Sequence, residues 1–312
     1  MLEHATLNFL MFALIGLTVG FGLSCWVEWM CRRERHAMNW PTVTRQARWR
    51  RCLALMVVTA VLFSAFEVAA ADWRVQDIAE VQPSGTGRSL RLAYHLALIS
   101  LLIAATATDF DAYLIPDQIT VAGVLLGVGG AVAVGELQLC HLWVDWHDAI
   151  PHLRGPRIPA WYDAHRNWHA LAWSGTGMVT GAAVTWIARI VSSRVLGQEA
   201  MGLGDVTLMA MIGSFLGWQA VLMVFLLAPI AGLTVGVAIS LISGKTYLPY
   251  GPWLSLAALF VLFRWTWLWE RTRLIFSDWL GLGILAGAGT AGFIVLLGLV
   301  RLYRAIPVRK HS

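Results

Sequence analysis

Charged residues are scarce in this chain of 312 residues: they make up 13% of it, against 58% for hydrophobic residues. Soluble domains carry roughly a quarter charged residues, so this composition excludes an ordinary soluble protein. The short alternating strands of a membrane β-barrel are also lacking. The sequence therefore predicts an all-α fold, a bundle of helices that crosses a membrane several times.

Cysteine is scarce as well, and no two cysteines form a CxxC pair. The four cysteines are Cys25, Cys31, Cys52 and Cys140. Their spacing excludes the usual zinc signature and a disulfide framework. The first apolar stretch has no basic segment before it and is long enough to span a membrane, so we expect no cleavable signal peptide.

Apolar runs of about 20 residues mark the predicted membrane spans. We place them at Ala5–Val27, Cys52–Ala71, Leu92–Thr108, Ile119–Gly135, Ala170–Ala188, Val206–Gly244, Trp253–Trp269 and Trp279–Val300. The run Val206–Gly244 is long enough for two short spans that turn near Ala228-Pro229, and Arg264 interrupts the next one. The sequence thus predicts nine spans, or eight if 206–244 crosses only once.

Arginine placement predicts the orientation, because loops rich in Arg and Lys stay in the cytoplasm. The loop 32–51 contains seven arginines and one glutamate, Glu34. That composition places the N-terminus outside and, counting onward, Asp109 and Asp205 on the cytoplasmic side. Nine spans also place the basic C-terminal tail inside, which eight would not. The net charge of +5 comes from these groups, so it indicates orientation rather than nucleic-acid binding.

An acidic motif, Asp109-Phe110-Asp111, stands where the third predicted span ends. A carboxylate near the bilayer is costly and rare without a role, although a hydrated, inert helix end is the simpler interpretation of Asp109 alone. Pro116 disfavours helix at the residue before it and predicts a loop over 110–117. We expect Asp117 to be the N-cap of the next helix, and Asp111 to be solvated or a neighbour of the site.

A second acidic motif, Gly202-Leu203-Gly204-Asp205, precedes a predicted helix over Val206–Gly213. Alone it is weak, because a glycine turn before an N-cap aspartate is common. Together the two motifs place carboxylates on one face. Two carboxylates within about 3 Å share a proton, so one can act as general base on water and the other as acid. His95, inside the third span, is expected to be a hydrogen-bonded helix–helix contact.

With these residues the chain resembles the type IV prepilin peptidases, which are GxGD membrane aspartyl proteases. The family's D-x-D-x-x-x-(L/I)-P-D stretch matches 109–117, and its GxGD motif matches 202–205. Its I-P-F-G-P-F-L segment resembles residues 248–254, Leu-Pro-Tyr-Gly-Pro-Trp-Leu. The matching pieces lie in the family's order within about 95–265.

The resemblance implies an aspartic-type endopeptidase that cleaves the leader peptide of type IV prepilins or pseudopilins at the cytoplasmic face of the inner membrane. It implies Asp109 and Asp205 as catalytic residues and no cofactor, metal or organic. The expected partners are the prepilin or pseudopilin and membrane lipids, with no nucleic acid. The expected site-shaping residues are Gly202, Gly204, Asp111, Pro116, Asp117, Thr207, Pro249, Gly251 and Pro252.

The chain departs from the family pattern in three places. Thr207 stands where the family usually has Lys, and loop 32–51 lacks the two CxxC pairs linked to zinc and to pilin N-methylation. We therefore expect no zinc site and assign no methyl transfer. Loop 139–169, rich in His and Trp, is expected to be a wet interfacial loop rather than a metal site. The predicted division is 1–91 N-terminal spans, 92–265 peptidase core and 266–312 additional span and tail.

Two other functions fit parts of the sequence. A proton- or cation-coupled transporter would use Asp109, Asp205 and Glu67 as ion sites, since intramembrane acids are typical of transporters. A catalytically degenerate assembly factor of a pilus or secretion system would retain the fold without activity, which Thr207 and the missing cysteine pairs allow. Otherwise Glu67 is expected to be a near-interface residue that reaches water.

Overall fold

The computed structural model describes residues 2–33, 44–144, 146, 158, 160–197, 201–243 and 249–305. Within these ranges the chain consists of helices and loops, with one isolated β-bridge between Ile78 and Val81. The predicted all-α fold is confirmed. The features that the sequence placed at Arg35, His147, His152, Leu248 and the tail after residue 305 lie outside the described residues.

The helices are α1 Leu2–Arg33, α2 Arg45–Ala71, α3 Gly85–Ala112, α4 Asp117–Val134, α5 Trp161–Ala164, α6 Arg166–Leu196, α7 Leu203–Leu216, α8 Trp218–Ser243, α9 Gly251–Phe263, α10 Trp265–Ser277 and α11 Trp279–Ala305. Five of them (α1, α2, α3, α4 and α6) are long and apolar enough to cross a membrane, and the bent pair α9–α10 makes up to six. The protein is therefore a polytopic membrane protein. The number of nine spans stays a prediction.

The apolar run 206–244 breaks at a different residue from the one predicted. Gly217, with φ 81°, separates α7 from α8, whereas Pro229 lies inside α8. The prediction of a turn near Ala228-Pro229 was wrong, because a membrane helix tolerates a proline that removes one backbone hydrogen bond. A positive φ is readily adopted only by glycine, and Trp173 packs directly against Gly217.

The predicted span Trp253–Trp269 is two helices. The chain bends by 91° between α9 and α10, at Arg264. After the bend the backbone N–H of Thr266 donates to the Val75 carbonyl (2.9 Å), and the indole of Trp269 donates to Glu80 (2.9 Å). The predicted interruption at Arg264 is confirmed, and α10 packs against the loop that joins α2 to α3. That α9 and α10 form a single span stays a prediction.

Close glycine contacts hold the helices together where backbones meet. A Cβ atom at Gly16 would lie 2.5 Å from Ala60 Cα, and one at Gly20 would lie 2.6 Å from Met56 Cα. These two glycines, one helical turn apart in α1, let its backbone touch that of α2. Small residues at this spacing are the usual means of close helix packing in membranes. A glycine contact of the same kind joins α6 to α7, where Gly177 packs on Gly213.

The helix ends fall into two groups on opposite sides of the bundle. We call the side with the C-terminus of α3 and the N-termini of α4, α7 and α9 the aspartate end. We call the side with residues 72–84, residues 135–144 and the α9–α10 bend the loop end. At the loop end Glu136 accepts from Ser84 (2.9 Å) and from Arg166 (2.6 Å). The Ser84 hydrogen bond and then the Arg166 charge lower the pKa of Glu136.

The predicted wet loop 139–169 is exposed in only a part of its described residues, namely 160–168 apart from the half-buried Tyr162. Its first residues pack into the protein, and α6 already begins at Arg166. His141 is 2% exposed and faces the Glu80 carbonyl, while His169 is 0% exposed and accepts from the backbone N–H of Leu142. Burial lowers the pKa of His141, so its ring stays neutral. Among the described residues no three His, Cys, Asp or Glu side chains form a group that could hold a metal ion.

Candidate active site

Asp109 lies in the last turn of α3 and is almost fully buried, with 5% of its surface exposed. Its Oδ2 accepts a hydrogen bond from the backbone N–H of Gly251, the first residue of α9 (3.0 Å). The helix continues to Ala112, so the loop predicted over 110–117 is shorter than expected. Tyr113, in the left-handed region with φ 54°, ends the helix.

Asp205 belongs to the first turn of α7 and is also buried, at 7% exposed. Its Oδ2 accepts from the backbone N–H of Gly202 (3.2 Å), the residue that caps this helix. Asp205 is therefore the third residue of the helix and not its N-cap, as the sequence had suggested. Because the helix starts at Leu203, the carboxylate folds back toward the turn instead of preceding it.

Ile115 brings the two acidic segments together. A Cβ atom at Gly204 would lie 3.3 Å from Ile115 Cβ, and one at Gly251 would lie 2.9 Å from Ile115 Cδ1. The isoleucine thus contacts the segment before Asp205 and the segment bonded to Asp109. The two carboxylates are close enough to interact electrostatically. The site is built from four helix ends, those of α3, α4, α7 and α9.

Helix N-termini surround both carboxylates. The first N–H groups of a helix have no partner in their own helix and carry partial positive charge. Gly251 N–H of α9 is such a group, and it points at Asp109. Asp205 occupies the first turn of α7, where negative charge is also favoured. Each aspartate is therefore placed where an anion is stabilised, while their proximity disfavours two charges at once.

Tyr250, adjacent to Gly251, is a residue of the site whose role the sequence did not indicate. Burial, and then the negative charge of Asp205, raises the pKa of its phenol. The phenol therefore stays protonated and is available as a hydrogen-bond donor near the carboxylates. The signal for it was present in the segment 248–254, but only the prolines and glycine of that segment were singled out.

Asp111 is not a solvated loop residue: it takes part in an ion-pair network beside the site. One nitrogen of Arg51 contacts Asp111 (2.5 Å), and the other contacts Glu28 (2.6 Å). Arg51 thus joins α1, α2 and the end of α3, two residues beyond Asp109. The sequence had placed Arg51 in a cytoplasmic loop, but α2 begins at Arg45, so the arginine projects from a helix.

The other predicted site-shaping residues differ in their burial and in their position within a helix. Pro249 is buried, and Pro252 is the second residue of α9, where its missing N–H costs nothing. Pro116 is the residue before α4, so Asp117 is the first helical residue and not the predicted N-cap. Asp117 is exposed, and Thr207 donates to the Gly204 carbonyl of its own helix (3.1 Å).

Parts of the chain are similar to known proteins. Residues 158–237 match the model of the type IV leader peptidase family, a segment that contains Asp205 but not Asp109. The chain is 27% identical to the prepilin leader peptidase/N-methyltransferase of Pseudomonas putida over 234 residues, which cover 72% of this chain and 66% of that protein. The chain is thus similar to a prepilin leader peptidase over 72% of its length.

Other prepilin peptidases match a shorter part. The prepilin leader peptidase/N-methyltransferase of Aeromonas hydrophila is 27% identical over 175 residues, 54% of this chain and 48% of that protein. That of Myxococcus xanthus is 30% identical over 159 residues, 51% of this chain and 38% of that protein. The chain thus spans from about half to two thirds of the length of the first two relatives. No solved structure matches it.

Two further predictions concern groups outside this site. His95 is buried and hydrogen-bonded, but to Gln76 (3.1 Å), which lies in the loop between α2 and α3 and not on another helix. Glu67 is also buried, at 6% exposed, and it accepts a hydrogen bond from Asn8. Both lie nearer the loop end, so neither joins the carboxylate pair as an ion site.

Proposed function

We propose that this protein is a membrane aspartyl endopeptidase that cleaves the leader peptide of type IV prepilins or pseudopilins. The observation that carries the proposal is that Asp109 and Asp205, two buried carboxylates from α3 and α7, lie at one end of the bundle, where Ile115 contacts the segments that hold both. The match to the type IV leader peptidase family supports it. The alternatives, an ion-coupled transporter and an inactive assembly factor, have no such observation in their favour.

The chemistry needs one ionised and one protonated carboxyl group. The ionised group takes a proton from water as the water oxygen attacks the scissile carbonyl carbon. The protonated group donates to the carbonyl oxygen, which gives a neutral tetrahedral diol. When the C–N bond breaks, the amine leaves with a proton and the pair returns to its starting state. The pKa values that govern the rate belong to the pair and not to either aspartate.

The surrounding residues position this pair. Gly251 N–H holds Asp109 through one oxygen, which leaves the other oxygen for water or substrate. Tyr250 supplies a protonated phenol beside Asp205. Gly202, Gly204, Asp111, Pro116, Asp117, Thr207, Pro249 and Pro252 keep the site-shaping roles that the resemblance implies, as part of this proposal. The apolar helix of the substrate would lie beside the spans, with its leader at the aspartate end.

The proposed enzyme lies in the inner membrane with its aspartate end in the cytoplasm. Helix ends alternate between the two sides from α1 to α9, with α5 and α10 at the loop end, and α11 starts where Trp279 stacks on Trp143 (4.1 Å). This alternation supports nine crossings with the N-terminus outside, although α7 and α9 are short. The division into 1–91, 92–265 and 266–312 stays a proposal, and methyl transfer is not included because the chain has no CxxC pair.

The decisive experiment is cleavage of a co-expressed prepilin with a Gly-Phe leader junction. Asp109→Asn and Asp205→Asn keep the size of each side chain but remove the ionisable group that the reaction needs. We expect each to slow cleavage by about a hundredfold or more. The matched control is Asp163→Asn, an exposed aspartate at the loop end, which should cleave like the wild type.

Membrane insertion of each variant is checked by its yield and melting temperature in detergent. Cleavage by both asparagine variants at the wild-type rate would show that the aspartates are structural. A wild type that inserts but cleaves neither prepilins nor pseudopilins would favour the inactive assembly factor. Proton-coupled uptake that depends on Asp109 would favour the transporter.

A further inference from the structure

A cavity of about 350 Å³ lies between α1, α2 and α3 at the loop end. Its size is within the range of small-ligand pockets. The lining divides by chemistry. Met11, Phe12, Leu92 and Leu96 form an apolar part contributed by α1 and α3. Polar and charged side chains form the rest, and they come from α1, from the end of α2, from the loop before α3 and from the first turns of α3.

The polar part contains hydrogen-bond donors without acceptors. Arg91 has a side chain only 3% exposed, and its Nη2 contacts Asp77 (2.8 Å). Its Nη1 is buried and has no hydrogen-bond partner among the described residues. The same holds for Nε2 of Gln76, whose other amide atom faces His95. Buried donors without acceptors cost free energy, so the cavity favours a ligand that supplies acceptors.

The cavity also contains an acid without a cation. Glu67 lines it and accepts from the Asn8 amide, but forms no ion pair among the residues that the structure describes. Arg88, at the rim, contacts Asp77 (3.3 Å) with a side chain 45% exposed. The two arginines thus lie beside Asp77, while Glu67 lies near Asp72, so positive and negative groups are at separate places. Such a site favours a zwitterion over a simple anion.

We propose that this cavity binds a phospholipid with a phosphoethanolamine headgroup. The phosphoryl oxygens accept from Arg91, Gln76 and Arg88, because charged hydrogen bonds to phosphate are strong. The primary ammonium donates to Glu67. An acyl chain follows the apolar part of the lining. Lipid headgroups lie at the ends of membrane helices, which is where the charged residues of this cavity are placed.

The proposal does not rest on the proposed function. Arg91 and Asp109 are 18 positions apart in α3, a rise of about 27 Å, so the cavity is remote from the carboxylate pair. A lipid at this place would hold α1 to α2 and α3 at the loop end. Lipid binding is measured without prepilin. A failure to bind lipid can therefore be distinguished from a failure to cleave prepilin.

The test is native mass spectrometry of the delipidated full chain in detergent. Phosphatidylethanolamine, phosphatidylcholine and phosphatidylglycerol with the same acyl chains are added in turn. We expect one molecule of phosphatidylethanolamine to bind with a Kd about tenfold lower than those of the other two. The quaternary ammonium of phosphatidylcholine cannot donate to Glu67, and phosphatidylglycerol has no ammonium.

Three variants separate the contacts. Arg88→Gln and Arg91→Lys should each weaken phosphatidylethanolamine binding by about tenfold, since each removes phosphate donors while the second keeps the charge beside Asp77. Glu67→Gln should reduce the preference for phosphatidylethanolamine over phosphatidylcholine to about one. Arg166→Gln, an exposed arginine of the loop end outside this cavity, is the control and should bind like the wild type.

Each variant's melting temperature without lipid checks that it is folded. Equal binding of the three lipids by the wild type would overturn the proposal. Folded Arg88→Gln and Glu67→Gln variants that bind phosphatidylethanolamine as the wild type does would also overturn it. Soluble phosphoethanolamine that competes as well as the lipid would show that the apolar part takes no acyl chain, and would overturn the assignment to a lipid.

Discussion

At the scale of single residues, the position of the Asp109 carboxylate depends on Gly251. A Cβ atom at this position would lie 2.5 Å from Asp109 Oδ2 and 2.9 Å from Ile115 Cδ1. We expect Gly251→Ala to displace the Asp109 carboxylate and to slow cleavage about 10- to 100-fold, because small misplacements of reacting groups are costly. Prepilin cleavage rates, with melting temperatures to check folding, measure this.

The control for Gly251→Ala is Gly175→Ala, because a Cβ at Gly175 meets nothing within 4 Å. It makes the same chemical change inside α6 and should leave cleavage unchanged. If Gly251→Ala cleaves as fast as Gly175→Ala, the hydrogen bond from Gly251 does not position Asp109.

Arg51 is a positioning residue at the same scale. Its two nitrogens contact Asp111 and Glu28, so it fixes the end of α3 just beyond Asp109. We expect Arg51→Gln and Asp111→Asn each to lower kcat several-fold, with the double variant no worse than either. Arg51→Lys should restore little, because an ammonium lacks the planar fork that contacts two carboxylates.

The control for Arg51 is its exposed neighbour, Arg50→Gln, which should cleave at the wild-type rate. Additive losses in the double variant would contradict a shared contact. An increase in KM with kcat unchanged would instead assign Arg51 to substrate binding.

At the scale of elements, the packing of α1 on α2 depends on Gly16 and Gly20. An added methyl group at Gly16 would meet the backbone of Ala60, which cannot rotate away. We expect Gly16→Ala to force the helices apart and to destabilise the fold by about 1–3 kcal/mol, the usual cost of overpacking. Thermal unfolding in detergent measures this.

Gly22→Ala makes the same change in α1 at a position where a Cβ meets nothing within 4 Å. It should unfold at the wild-type temperature or slightly above, since alanine is the better helix former. An equal loss in both variants would mean that helix propensity decides the stability of α1, and not its contact with α2.

Element boundaries show where sequence reasoning succeeded and where it failed. The composition and the long apolar runs predicted the all-α fold, because such runs depend only on local sequence. The break at Gly217 was missed because its cause is tertiary: Trp173, from another helix, packs against the turn. Pro229 looked like the stronger signal, but inside the membrane a helix bypasses one missing hydrogen bond.

The site shows the same division. Asp109 and Asp205 were predicted from two local motifs, and the structure places them at the same end of the bundle. The hydrogen bond from Gly251 joins residues 142 positions apart. The network of Arg51 joins residues 60 positions apart. No local pattern encodes such contacts, so the supporting residues became visible only in three dimensions.

At the scale of the whole molecule, the proposed orientation makes a prediction for every connection. We expect fusions of alkaline phosphatase to be active at residues 72–84 and 135–144, at the loop end. Fusions of green fluorescent protein should fluoresce at residues 113–116, at the aspartate end. The reason is that the first reporter folds only outside the cytoplasm and the second only inside.

The paired reporters are each other's control, because every junction carries both in turn. Alkaline phosphatase activity at 113–116 would reverse the orientation and place the carboxylate pair outside. The same activity pattern at 113–116 and 135–144 would mean that α4 does not cross.

The two shortest of the proposed crossings have a consequence for the membrane itself. Helices α7 and α9 contain 14 and 13 residues, a rise of about 21 and 20 Å, against a hydrocarbon thickness of about 30 Å. Both begin beside the carboxylate pair, so the missing length falls there. Hydrophobic mismatch of this kind thins the bilayer locally. A peptide bond next to an apolar helix would therefore meet water at the pair without that helix leaving the lipid.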